Sequence, residues 1–315
     1  MTEAAERTAG AAGAARNERF AYALLLIAPV LFASNMLAAR ASADVIPPVA
    51  LAFWRWTAMF ALLLPFTGVA LFRARYALRR EWLDLLILGA LGMGVCGAFV
   101  YVGAHTTTAT NIGLIFSASP VLIILLASVV YGEAMSRLQA FGVALSLVGV
   151  LAVVSRGDPQ VFLKLRFTVG DLWVLGATIG WAVYSVLLKY RRSALGTMPR
   201  LAAICFGGMV VLAPFHVWEA MAGAVPVLDS RTVLTVAFVA LFSSLGAYGV
   251  YAHIQSSLGA SRTGLLMYLI PLYNGVLAYL LFGETLEAFH LVGAALVLPG
   301  LYLATRAPRP PAEQE

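Results

Sequence analysis

The chain has 315 residues, of which 61% are hydrophobic and only 11% charged, with a mean hydropathy of +0.88. A soluble domain carries about 25% charged residues, so most side chains here face hydrocarbon and no separate soluble domain fits. The net charge of +6 does not mark a nucleic-acid binder, because the basic residues lie in segments between apolar runs. There they set orientation in a bilayer.

In chain order, residues 1–19 are Ala-rich, interspersed with Glu3, Glu6, Arg7, Arg16, Glu18 and Arg19. They lack the long apolar stretch and cleavage site of a signal peptide, and read as a disordered cytoplasmic tail. Ten apolar runs follow, over 20–39, 47–72, 82–103, 109–131, 136–154, 171–190, 198–218, 232–253, 261–282 and 286–305. Each is about 20 residues, the length that crosses a bilayer as a helix. Gly132-Glu133-Ala134-Met135 makes the fourth and fifth runs a tight hairpin, with capping-box spacing from Ser136 to Gln139. Gly283-Glu284-Thr285-Leu286 breaks the ninth and tenth runs in the same way. Residues 306–315, with three prolines, form a second short tail. Cys96 and Cys205 fall inside apolar runs and read as small core residues.

With the N-terminus inside, fifteen Lys and Arg fall on the inner side and five on the outer, so both termini are expected in the cytoplasm. Shifted by 151 residues, the region 109–149 lies on 260–300 without a gap. Pro120 meets Pro271, Gly132-Glu133 meets Gly283-Glu284, and Gly113, Gly142 and Gly149 meet Gly264, Gly293 and Gly300. Composition alone does not align prolines and glycines in register, so the chain is a duplication. Five spans per half is an odd number, and the second copy therefore enters the membrane from the opposite side. The expected domains are a first five-helix repeat at 20–154, an external connection at 155–170 and a second repeat at 171–305. Inverted repeats of this kind bind at the midplane, where the halves meet, and rock around the site. The expected fold is all-α, with ten transmembrane helices as two inverted five-helix repeats around a central cavity.

Pro48-x-x-Leu51-x-Phe53-x-Arg55 opens the second span, and Pro120 is followed by Gly132-Glu133. The second half carries Gly259-Ala260-Ser261-Arg262, then Pro271, Gly283-Glu284, Gly293 and Gly300. On these residues the chain, over roughly 20–305, resembles the drug/metabolite transporter superfamily in its ten-helix EamA-type branch. Leu31-Phe32-Ala33-Ser34 departs from it, standing where that family often has a Trp-Gly pair. Overall likeness is greatest to bacterial inner-membrane amino-acid exporters, including those for aromatic amino acids. The resemblance implies a small-molecule substrate, a lipid bilayer as surroundings and no cofactor. It further implies a central cavity lined mainly by spans one, three, four, six, eight and nine. A monomer and a homodimer are both compatible with it.

Candidate substrate-binding residues are the polar and aromatic side chains on those spans. They are Asn35, Tyr101 and His105, Ser117, Trp181 and Tyr184, Tyr248 and Tyr251, and Tyr268 and Asn274. Packing and interfacial anchoring are the plainer readings of the same aromatics. Pro120 and Pro271 are candidate hinges, since each frees a backbone carbonyl at i−4. Glu133 and Glu284 sit at helix ends and are expected to cap the next helix or pair with a base. Arg55 is the only charge well inside a span. It reads either as a substrate-carboxylate or gating contact, or as an arginine snorkelling outward between Trp54 and Trp56, and it is kept outside the central site. The four histidines show no metal-ligand spacing, and no metal is expected.

Gly92-x-Gly94-x-x-Gly97 spells a dinucleotide fingerprint but lies within an apolar run, not between a strand and a helix. Close helix packing explains it better. No nucleophile–base pair or paired carboxylates stand at membrane depth, so an enzyme is not expected. The rivals to an exporter running down its substrate's gradient are a proton-coupled multidrug or metabolite exporter and, further off, a receptor or channel.

Overall fold

The computed structural model describes residues 17, 20–35, 38, 45–107, 109–164, 168–282 and 287–306. Helices α1 (Phe20–Asn35), α2 (Pro48–Arg73) and α3 (Arg75–Ala104) are followed by α4 (109–131) and α5 (Arg137–Val154). The second set is α6 (Val169–Tyr190), α7 (Thr197–Met221), α8 (Ser230–Leu258), α9 (260–282) and α10 (Ala288–Arg306). Among the described residues, eight of these are long and apolar enough to cross a bilayer. The other two are α1, of which a shorter stretch is described, and α9, which is broken by a 3₁₀ segment at Leu265–Leu269. No strand occurs among the described residues. The tails at 1–19 and 306–315 lie almost wholly outside them.

The largest departure from the expected elements lies between α2 and α3, which are separated by Ala74 alone. The charges of Arg75, Arg79, Arg80 and Glu81 suggested a loop, but charge does not end a helix. Arg, Leu and Glu are good helix formers, and α3 accordingly starts at Arg75 and buries Leu85 and Leu88.

Three local devices and one long-range contact fix helix ends. Gly132 closes α4 in the left-handed conformation at φ 69°, and its N–H donates to the Ser128 carbonyl at 3.0 Å. Ser136 then caps α5 by accepting from the Gln139 N–H at 3.2 Å, as its spacing suggested. The N-terminus of α2 is capped from another helix. Glu219 of α7 accepts the Val49 N–H at 3.0 Å and the Ala50 N–H at 2.7 Å. Asp229 caps α8, and the Thr232 N–H holds its carboxyl below the usual carboxylate range.

The repeat is visible in the packing. Helices α5 and α10 make the most extensive pairwise contact in the bundle, through Gly142, Gly149, Gly293 and Gly300. Helices α3 and α8 each contain a π-helical stretch, Ala90–Val95 and Val239–Gly246, which fall at matching places in the two halves. The Gly92-x-Gly94-x-x-Gly97 run lies across the first of these. A Cβ on Gly92 would come within 2.7 Å of the Tyr184 ring, and one on Gly97 within 2.9 Å of Trp56 Nε1, so these glycines do serve close packing.

Candidate functional site

A cavity of about 160 Å³ lies between the two halves. Helices α1, α2, α6 and α8 supply Phe32 and Asn35, Arg55, Trp181, and Ser243 and Tyr248 to its wall. The facing wall comes from the interrupted parts of α4 and α9, with Phe116, Ser117, Met267, Pro271 and Asn274. Cys96 of α3 also borders it, whereas Cys205 is buried in the core beside Met59, 3.6 Å between sulfurs.

The two prolines explain why this wall is irregular. Pro120 stands in the first turn of Ser119–Tyr131, the second part of α4, after a break at Ser117–Ala118. Pro271 follows the 3₁₀ segment and starts the Ile270–Phe282 part of α9. A proline in a first turn costs no intrahelical hydrogen bond, so each marks where the helix restarts, next to the cavity.

Arg55 is the centre of the polar network. It is 3% exposed, so the snorkelling reading does not hold, and its place on the cavity wall corrects its exclusion from the central site. Its Nε donates to Ser244 Oγ at 3.0 Å, and its Nη1 donates to Asn35 Oδ1 at 2.9 Å and Tyr101 Oη at 2.6 Å. Tyr101 in turn donates to Asn35 Oδ1 at 2.6 Å. The guanidinium lies 4.2 Å from the centre of the Trp56 ring, a cation–π contact. These partners replace the water that the arginine would otherwise seek at the interface.

Trp56 and Tyr248 are held by the first π-helical stretch. A π-turn leaves carbonyls free of their usual α-helical donors. Trp56 Nε1 donates to the Met93 carbonyl at 3.1 Å and Tyr248 Oη to the Gly92 carbonyl at 3.2 Å. Below Tyr248 the rings of Trp181, Tyr184 and Tyr251 form one aromatic layer, with centroids 4.9–6.1 Å apart. Tyr251 donates to Ser185 Oγ at 2.9 Å and Gln255 Nε2 to the Ser185 carbonyl at 2.8 Å.

Tyr184 faces a second cavity of about 230 Å³ on the other side of that layer. Lys189, Ser193, Arg200 and Gln255 line it, at the ends of α6 and α8 and the start of α7. Arg200 donates to the carbonyls of Leu188 and Arg191 at 3.0 and 2.7 Å, closing the end of α6.

Of the expected substrate contacts, Asn35, Ser117, Trp181, Tyr248 and Asn274 line the first cavity. Tyr101 stands behind Arg55, while Tyr184 and Tyr251 lie in the aromatic layer away from it. Tyr268 is fully buried in the packing of α9, and His105 is exposed past the end of α3. Glu133 neither caps the next helix nor pairs with a base among the described residues. It accepts hydroxyl hydrogen bonds from Tyr190 and Ser261, tying the α4–α5 turn to α6 and α9. Glu284 lies outside the described residues.

Sequence reasoning missed Phe32, Ser243 and Ser244, which Arg55 and the aromatic rings draw together. A Ser-Ser pair in the middle of an apolar run was the available signal. It also undervalued Asp171, which is 3% exposed. Thr107 donates to it, Asn111 Nδ2 donates at 3.0 Å, and the Thr168 N–H completes a capping box at 2.6 Å. The Thr168-x-x-Asp171 spacing carried that signal.

The EamA-like transporter family model matches the chain twice, over residues 19–155 and 168–306. An uncharacterized transporter of Archaeoglobus fulgidus is 28% identical over 90% of this chain and 96% of its own length. A probable amino-acid metabolite efflux pump of Escherichia coli K12 is 23% identical over 89% and 93% of the two chains. One solved crystal structure shares the fold, with a TM-score of 0.72 at 20% identity, covering 90% of this chain and 95% of that one. The family model thus falls once on each half of this helical bundle, and this chain belongs to the EamA-like transporter family, as a multi-pass membrane protein.

Proposed function

We propose that this protein exports neutral amino acids, aromatic ones among them, from the cytoplasm across a bacterial inner membrane by alternating access. The observation that carries this reading is the character of the first cavity. Phe32, Phe116, Trp181 and Tyr248 offer ring faces, and among the described residues no carboxylate lines the wall to neutralise a cationic drug. The efflux pumps among the relatives, described as acting on amino-acid metabolites, support the same substrate class. In this reading both termini are cytoplasmic, residues 155–170 are external, and the halves 20–154 and 171–305 rock about the cavity. Binding residues are drawn from its lining, and the aromatic layer separates the outer cavity from the inner one.

Purified protein in liposomes loaded with unlabelled amino acids should accelerate uptake of labelled phenylalanine, tyrosine or leucine over protein-free liposomes. If only lipophilic cations move, a multidrug carrier replaces this reading.

A further inference from the structure

We propose that Arg55 and Asn274 form a two-ended site for the α-carboxylate and α-ammonium groups of an amino acid, which deepens the amino-acid reading above and rests on it. An arginine has five N–H donors, and three of the contacts described above use Nε and Nη1 of Arg55. The two N–H groups of Nη2 have no partner among the described residues, on a side chain that lines the cavity. All its partners there are neutral: Asn35, Tyr101, Ser244 and the Trp56 face. Among the described residues the guanidinium is thus a buried cation without a counter-ion, in a bundle surrounded by hydrocarbon. Such a charge is costly until an anion reaches it. A carboxylate is the group whose geometry an arginine matches.

A second observation lies on the facing wall. Asn274 Oδ1 is buried with no hydrogen-bond partner among the described residues, and its side chain lines the same cavity. It follows Pro271 by less than one turn of the restarted part of α9. A buried acceptor left open costs less than a buried cation left unpaired, but it too favours a ligand that supplies the missing partner. An ammonium group supplies the missing donor. An α-amino acid carries both groups on one carbon, and the apolar remainder of the wall, Phe116 and Met267 with Phe32, receives its side chain. Neither residue alone selects an amino acid. Arg55 admits any carboxylate and Asn274 any amine, and only together do they favour a zwitterion.

The test is competition against exchange of labelled phenylalanine by the full-length protein in liposomes. Three competitors are used: phenylalanine, phenylalaninamide, which lacks the carboxylate, and 3-phenylpropionate, which lacks the amine. In the wild type, each one-ended analogue should compete about tenfold or more weakly than phenylalanine, as expected for losing a charge-assisted hydrogen bond. Arg55→Lys should retain preference for the acid over the amide, and Asn274→Ala should lose preference for phenylalanine over phenylpropionate. Wild-type protein that takes phenylalanine and both analogues equally overturns this site while leaving amino-acid transport standing. If no carboxylate-bearing compound is exchanged at all, the amino-acid reading and the site fall together. Because the wild-type arm needs no mutant to fold, poor insertion of a variant does not blunt the result.

Discussion

Gly142 on α5 lies against the backbone of Gly300 on α10, so closely that a Cβ on either would fall 2.5–2.7 Å from the other's carbonyl oxygen. Gly149 and Gly293 repeat the relationship at 2.9 and 3.1 Å. The four residues are two repeat pairs, Gly142 with Gly293 and Gly149 with Gly300. Each glycine therefore touches the repeat-mate of the other, which is the contact pattern of a two-fold axis between the halves.

A side chain added at Gly300 would meet the Ser146 hydroxyl and the backbone of Gly142 and Ser146, with no open space to enter. Gly300→Val should lower the unfolding free energy of the detergent-solubilised protein by about 1–3 kcal/mol, the usual cost of overpacking. Phe141→Leu, one residue from Gly142 but exposed to the surroundings, should change it by no more than about 0.5 kcal/mol. Thermal melts of the two variants give the comparison. Equal melting temperatures would remove the tight α5–α10 contact.

Glu219 joins α7 to the first turn of α2 by two backbone hydrogen bonds. Glu219→Ala should release the Val49 and Ala50 amides to faster hydrogen exchange and destabilise the fold by about 1–2 kcal/mol, as for loss of a helix cap. Unaltered protection at those two amides would mean that water or another group does the capping.

Pro120 and Pro271 stand where α4 and α9 restart beside the cavity. Alanine at either position restores an N–H donor and lets the two parts of its helix join. Slower exchange at near-normal insertion is expected for each single variant, read as the initial rate in liposomes per inserted protein. Unchanged rates in both would remove the hinge role.

The sequence carried most of this bundle because its signals are one-dimensional. Apolar run length, Gly-Glu breaks and the 151-residue register of Pro120 with Pro271 need no tertiary knowledge. What it did not carry depends on partners far apart in the chain. For Arg55 a substrate or gating contact and a snorkelling arginine stand level in the sequence, because Asn35, Tyr101 and Ser244, which satisfy it, come from three other helices. Glu133 read as a cap or the partner of a base because Tyr190 and Ser261 are distant in sequence. The π-helical stretches were invisible, since a widened turn leaves apolar composition unchanged.

Energy coupling has a direct test. Asp171, the one acidic side chain found deeply buried in a described helix, is saturated with neutral donors at the end of α6, and Glu133 holds two hydroxyls. Neither lines the first cavity. Liposomes should therefore equilibrate substrate without an imposed pH gradient, and an inward proton gradient should drive no accumulation. Glu133→Gln, which keeps one carbonyl acceptor and turns the other contact into an amide donor to a hydroxyl, should exchange at the wild-type rate. Uphill accumulation abolished by that substitution would sink the uniport reading.

Orientation is tested by fusion reporters. Those placed after Arg75, Arg137 or Arg192 should read as cytoplasmic, and one after Lys164 as external. An external signal at Arg75 or Arg192 would overturn the orientation and, with it, the assignment of outer and inner cavities.

The two π-helical stretches bear on the age of the architecture. Ala90–Val95 of α3 and Val239–Gly246 of α8 fall at the same place in each half, and Tyr248 of the second half reaches the Gly92 carbonyl of the first. A π-turn is in effect a single residue inserted into an α-helix. Two independent insertions at matching places are a less economical history than one insertion copied with everything around it. The extra residue thus belongs to the ancestral half-length chain and predates the fusion that made this protein. Relatives with the widened turn in one half only, branching at the root of the family, would reverse that order.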